Sequence, residues 1–214
     1  VSAKTPSRLC SASKFKGLPP SSAPPLLDGG GGWPYFEAMA VLPIIIAPDP
    51  RLKQKAAPVA KVDAATRRLM DDMLETMHAA NGVGLAAPQV GELKRVIVVD
   101  PARKGEKPMR LRMANPEIVW ASEEIVLRDE GCLSFPKQFA EVRRPAKVRV
   151  RYLNHENEIR ELEAEGLLAV CVQHEMDHLD GVLLVDRVSS LKRNMILRRL
   201  AKAKRLAETE SAPA

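Results

Sequence analysis

No apolar run in the sequence approaches the roughly 18 residues that a helix needs to cross a membrane. The densest apolar patch, Ala40 to Ala47, is short and interrupted by Pro43, so a soluble chain is expected. Cysteine is scarce: Cys10, Cys132 and Cys171 form an odd set without the close, regular spacing of a disulfide-stapled secreted domain. A reducing compartment fits best, and each thiol is then free to be a packing residue, a nucleophile or a metal ligand. Histidine is limited to four residues, which shortens any search for a metal site. Acid is missing from the first 27 residues and again between Arg187 and Arg205.

The chain has 214 residues and is 45% apolar, enough for one well-packed domain with tails. Its net charge of +6 suggests a nucleic-acid partner until the charges are located. Lys4, Arg8, Lys14 and Lys16 lie near one end, and Arg187, Lys192, Arg193, Arg198, Arg199, Lys202, Lys204 and Arg205 crowd the other. The body between them is close to neutral, and DNA is not an expected partner.

Residues 1–38 are rich in Ser, Pro, Gly and Lys, include the run Gly29 to Gly32 and show no apolar period. They are expected to be a disordered extension: an over-extended gene prediction with Met39 the true start, an added leader, or a transit peptide. Order is expected from about Val41. Asp63 can cap a helix carrying Leu69, Met70, Met73, Leu74 and Met77 at helical spacing, ended by Asn81-Gly82. Arg95 to Asp100 reads as a buried strand, and Lys147 to Tyr152 alternates like a strand with one wet face. A turn at Asn154 to Asn157 leads to a partner strand near Glu158 to Glu163. A helix follows from about Leu167 to Asp180, stopped by Gly181, and another from Ser189 to Ala207 with Leu191, Met195, Ile196 and Leu200 as its apolar stripe. Strands clustered between an early and a late helix indicate an α+β fold.

The chemistry concentrates in His174-Glu175-Met176-Asp177-His178, an HExxH arrangement. A spacing of four is just over one helical turn, so both imidazoles project from one face and can bind one metal ion. Glu175, beside the first histidine, can reach an activated water and move its proton. A chance HExxH would belong on a solvated helix, whereas Leu168 to Val172 are apolar and carry this one into a core, where two metal-free histidines would be costly. A hydrolytic metal site needs a third protein ligand and one open position. His78 and His155 do not follow the motif, and Glu208 and Glu210 sit in the terminal tail, so Cys132 is the candidate; the preceding Gly131 is expected to permit a tight bend. Leu167, Val170 and Cys171 precede His174 at helical spacing and should form an apolar wall beside it. Core packing alone would also explain them.

Three segments, Gly82 to Gln89 (GVGLAAPQ), Glu130 to Ser134 (EGCLS) and Gln173 to Gly181 (QHEMDHLDG), together resemble the signature motifs of the peptide deformylases in order and spacing. The resemblance spans about Val41 to Asp186, including Pro48 to Leu52 and Asn115-Pro116. It implies antiparallel sheets around a central HExxH-bearing helix, with residues 39–186 the catalytic domain and 187–214 a basic C-terminal helix and tail. It implies removal of the N-formyl group from N-formyl-Met nascent peptides, releasing formate. Cys132, His174 and His178 would bind the metal and leave a fourth position to water; Glu175 would be the general base and acid. Gln89 and the backbone N–H of Leu133 would hold the oxyanion. Backbone groups of Val83, Gly84 and Gly131 would bind the peptide, and Leu167, Val170 and Cys171 its methionine side chain. Arg144 would pair with Glu130, although by sequence alone Arg143 is equally placed and a surface pair equally reasonable. Fe(II) is the implied ion, with Zn, Ni or Co as substitutes. The basic helix would touch the ribosome, and the address would be the bacterial cytoplasm, or a mitochondrion or plastid if residues 1–38 are a transit peptide. A general zinc endopeptidase and a non-enzymatic ribosome-associated protein with a structural metal are the competing readings; the first gives no reason for Gln89 or Cys132 to sit in their motifs, and the second needs a fourth ligand to close its site, which the sequence does not offer.

Overall fold

Strand β2 (Val96–Val99) is buried at every position, because it is covered on both faces. Ile97 and Val99 pack with Ala169, Val172 and Leu179 of helix α2 (Gly166–Leu179). Val96 and Val98 pack with Met70, Met73, Leu74 and Met77 of helix α1 (Ala64–Ala79). The methionine stripe of α1 is therefore core, and the unbroken apolar run of β2 is the signature of a strand between two helices. The structure, a computed structural model, describes residues 40–102 and 105–210, with side chains to residue 206. Those residues belong to one compact unit, Ala38–Ala214. The expectations for residues 1–38 and for Met39 lie outside the described residues.

The remaining strands are β1 (Gly84–Ala86), β3 (Leu111–Ala121), β4 (Ile125–Cys132), β5 (Phe135–Pro145), β6 (Lys147–Leu153) and β7 (Ile159–Glu165). Among the described residues, five of the seven strands form an antiparallel sheet in the order β1-β2-β3-β6-β7, and β4 and β5 pair as a separate two-stranded ribbon. The outer face of β6–β7 is a ladder of opposite charges, Lys147–Glu165, Arg149–Glu163 and Arg151–Glu161. The inner face of the ribbon, with Ala140 and Val142, packs with Leu184, Val185 and two residues, Ile196 and Leu200, of helix α3 (Ser190–Glu210). Antiparallel sheets with a central helix and a further C-terminal helix make this an α+β fold.

The long strands β3, β4 and β5 go beyond the strands expected from periodicity. In β3 the alternation breaks at Asn115, which takes a positive φ of 49°, and the register with β6 shifts between Ala114 and Glu117. Gly131 corrects another expectation: it forms no tight bend but lies in β4 opposite Phe139, and a Cβ there would come within 2.8 Å of the Phe139 ring.

Helix α1 starts where Asp63 accepts a hydrogen bond from Thr66 N at 2.8 Å. Helix α2 ends because Gly181 adopts a φ of 70° and lets Val182 N donate back to Asp177 O at 2.9 Å. The carbonyl of Lys53 lies against the place where a side chain at Gly181 would begin. The left-handed backbone and this clash together make Gly181→Ala costly, by about 2 kcal/mol or more. Urea denaturation should show a lowered midpoint with an unchanged slope.

Candidate metal centre and cleft

Two elements bring the candidate ligands together. On α2, His174 and His178 lie one turn apart, and their ring centroids are 5.1 Å from each other. Cys132 ends β4, where the register with β5 shifts and turns the thiol toward the helix. One ligand atom each from Cys132, His174 and His178 lies within 4.8 Å of the others, and Cys132 Sγ is 3.2 Å from His178 Nε2. One sulfur and two imidazole nitrogens at this spacing fit a transition-metal ion with a position left over.

One histidine is held from behind, whereas His178 Nδ1 is buried without a hydrogen-bond partner among the described residues. His174 Nδ1 is 2.9 Å from Glu130 Oε2, which fixes the ring and leaves Nε2 for the cleft. Glu130 in turn accepts two hydrogen bonds from Arg144, at 2.5 and 2.9 Å. The pair is buried, with 3% of the Glu130 side chain and 5% of the Arg144 side chain exposed, so it is no surface salt bridge. Arg143 points to the opposite, exposed face of β5. Burial raises the pKa of Glu130, but hydrogen bonds from His174 and Arg144 outweigh it and hold the carboxyl below its usual range. Burial likewise opposes charge on His174, yet hydrogen bonds with Cys132 and Glu130 raise its pKa well above the ordinary value. His178 is lowered well below its ordinary range, by burial first and then by the charges of His174 and Arg144.

Glu175 faces the cleft with one carboxylate oxygen, Oε2, buried and without a protein hydrogen-bond partner. Burial pushes its pKa up to about 7, only partly countered by His174 and Arg144. A carboxyl tuned this way can take and return a proton near neutrality. The 3₁₀ turn Ala87–Val90 presents Gln89, whose Oε1 accepts from Ala86 N at 2.8 Å. That bond directs Nε2 to Ser134 Oγ at 3.1 Å and to Cys132 Sγ at 3.6 Å.

A cavity of about 590 Å³ opens over this cluster. Val83, Gly84, Gly131 and Leu133 line it, and Leu167, Val170 and Cys171 form an apolar wall beside His174 and Glu175. The Cys171 thiol is pushed up to about 12, chiefly by burial and then by the nearby carboxylates, so it stays protonated as a wall residue would. The site residues singled out in the sequence thus line this cleft except Gln89 and His178, which adjoin it through Cys132 Sγ. Sequence reasoning missed Phe139, which lines the cavity from β5, and Ser134, which steadies Gln89. The Ser134 position inside the EGCLS segment was the only available signal for it. Asp177 was seen only as a filler of the HExxH pattern, yet its carboxylate joins Arg144 at 3.0 Å.

The profile of the family described as polypeptide deformylase matches residues 41–194. A peptide deformylase of Phenylobacterium zucineum is 55% identical over 164 residues, covering 77% of this chain and 97% of that protein. The crystal structure of the peptide deformylase from Ehrlichia chaffeensis superposes with a TM-score of 0.76 at 39% identity, covering 78% of this chain and 99% of that one. A class I type b peptide deformylase from Acinetobacter baumannii, crystallised with Met-Ala-Ser bound, has a TM-score of 0.67 at 40% identity, covering 71% and 100% respectively.

The buried pair yields a stability test. Arg144→Leu leaves the buried Glu130 carboxylate without its cation and with only its hydrogen bond to His174, at a cost of about 3–5 kcal/mol. Arg143→Leu, on the wet face, should stay within about 0.5 kcal/mol of the parent. Urea titrations of the metal-free proteins compare the two.

Proposed function

The chain belongs to the polypeptide deformylase family, metal-dependent hydrolases that remove the N-formyl group from new polypeptides, and from that premise we propose which of its residues do the work. The observation that carries the assignment is the convergence of Cys132, His174 and His178 within 4.8 Å. These three would hold the ion, and Fe(II) is the proposed occupant, with Zn, Ni or Co as substitutes of the same borderline character. When bound, a divalent ion supplies Lewis acidity that makes hydroxide accessible near neutral pH.

The protein's own groups then divide the reaction. The apolar wall of Leu167, Val170 and Cys171 takes the unbranched methionine side chain. Backbone groups of Val83, Gly84 and Gly131 hold the peptide main chain, so that the formyl carbon faces the ligand cluster. Glu175 removes the proton from the attacking water. Negative charge growing on the formyl oxygen is met by the Gln89 amide and by the N–H of Leu133, donors fixed in place before the reaction begins. Glu175 returns the proton to the departing amine, and formate and a free N-terminus result. The Met-Ala-Ser peptide held by the Acinetobacter baumannii relative is the chemical form of such a product, which supports this reading. An endopeptidase would have no use for Gln89 held against Cys132.

Residues 39–186 are proposed as the catalytic domain and 187–214 as its basic helix and tail. Ile196 and Leu200 seat α3 on the ribbon, while Lys192, Arg198, Arg199 and Lys202 are exposed. This basic surface is proposed to meet ribosomal RNA, in a bacterial cytoplasm. Arg198→Glu, Arg199→Glu and Lys202→Glu combined should abolish salt-sensitive cosedimentation with ribosomes without lowering turnover of a short peptide. Equal cosedimentation would refute the contact.

Formate release from formyl-Met-Ala-Ser, measured anaerobically with Fe(II) restored, tests the reaction itself. The parent should turn over, and Glu175→Ala should lose at least about 10²-fold in kcat. A Cβ at Gly84 would lie 2.9 Å from Glu175 Cδ, so Gly84→Ala should also lose kcat as the carboxylate is displaced. A folded, metal-loaded parent that releases no formate would overturn the assignment.

A further inference from the structure

The support behind His174 continues beyond Arg144. Arg144 Nη1 donates to Asp177 Oδ2 at 3.0 Å, and Arg187 Nε donates to the same oxygen, also at 3.0 Å. Arg187 Nη2 closes a second hydrogen bond to Asp177 Oδ1. The chain His174, Glu130, Arg144, Asp177, Arg187 thus alternates in charge from the metal-ligand candidate to the surface. Side-chain exposure rises along it, from 3% at Glu130 and 5% at Arg144 to 15% at Asp177 and 44% at Arg187. Arg187 itself is not loose: its N donates to Leu184 O at 3.2 Å at the end of a 3₁₀ turn whose Leu184 and Val185 are buried.

Arg144 sits between two carboxylates, and the geometry requires it to serve one of them twice. It gives Nε and Nη2 to Glu130 and only Nη1 to Asp177. Asp177 tolerates this share because Arg187 occupies both of its oxygens. Without that outer cation, Asp177 would be a poorly solvated anion with one partner, and it would compete with Glu130 for Arg144. Any rotation of Arg144 toward Asp177 loosens Glu130 and frees the His174 ring to turn.

We propose that Arg187 is a positioning residue for the metal centre, acting by neutralising Asp177 so that Arg144 stays committed to Glu130 and Glu130 to His174. The inference rests on the assignment of His174 as a metal ligand. It differs from ordinary surface stabilisation in one respect: the harm done by removing Arg187 comes through the Asp177 charge, so removing that charge as well should undo it.

The test is metal retention rather than turnover. Protein loaded with Co(II) is mixed with excess EDTA, and loss of the thiolate-to-cobalt absorption is followed in time. Arg187→Gln should release cobalt about five- to tenfold faster than the parent, at the low end of the effect expected for outer-shell partners. Arg187→Lys, which keeps the charge, should remain within about twofold of the parent. Arg187→Gln combined with Asp177→Asn should return toward the parental rate, since the amide oxygen introduced there can still accept from Arg144 but carries no charge to pull on it. Circular dichroism of each metal-free variant verifies folding. Release from Arg187→Gln at the parental rate, or from the double variant as fast as from the single one, would overturn the relay while leaving the metal site intact. A parent that holds no cobalt would sink the metal assignment, and this inference with it.

Discussion

Two imidazoles one helical turn apart are buried in this molecule, and the surroundings of His174 are arranged to make that tolerable. A buried histidine must have its nitrogens satisfied and its charge settled. For His174 one nitrogen goes to Glu130, and the carboxylate so introduced must itself be answered, by Arg144. Each polar group that is buried requires another behind it until the series reaches solvent at Arg187. The fold meets this with two separate layers. The five-stranded sheet, backed on its other face by α1, packs against the apolar side of α2, while the β4–β5 ribbon brings Cys132, Glu130 and Arg144 to its polar side.

How much of this could be read from the chain follows from the same division. Helix α1 and strands β2 and β6 were legible from their apolar patterns, α2 from its apolar run into HExxH and the Gly181 stop, and β7 as the partner strand that follows the Asn154 to Asn157 turn. Strands β3, β4 and β5 were not. In β3 a left-handed Asn115 and a register shift break the alternation. The inner face of β4–β5 breaks it for another reason: Glu130 and Arg144 stand where core residues would be expected. The requirement that hides the ribbon from a periodicity reading is the one that makes it useful. The site was more legible than the fold around it, since EGCLS and HExxH are local strings, whereas the choice between Arg143 and Arg144 needed the register that turns one inward and the other to water.

Gly131 lines the cleft for a reason other than the one expected of it. The glycine was expected to bend the chain, yet its backbone continues the strand. What its missing side chain provides is room for the Phe139 ring across the ladder, at the lip of the cavity. Gly84 has a similar use on the other wall, where the carboxylate of Glu175 occupies the space a Cβ would take. Both glycines are spatial rather than conformational requirements, and sequence alone cannot tell those apart.

The charged ladder on β6 and β7 carries a consequence of another kind. β7 is the last strand of its sheet, so its outer backbone groups are unpaired by any neighbouring strand among the described residues. An enzyme whose substrates arrive as unfolded polypeptides works among bare backbones able to add themselves to such an edge. Glu161, Glu163 and Glu165, alternating along β7 and each matched by a cation on β6, keep that border hydrated and self-satisfied. The catalyst can then meet nascent chains one end at a time, at its cleft, without becoming a seed for their aggregation.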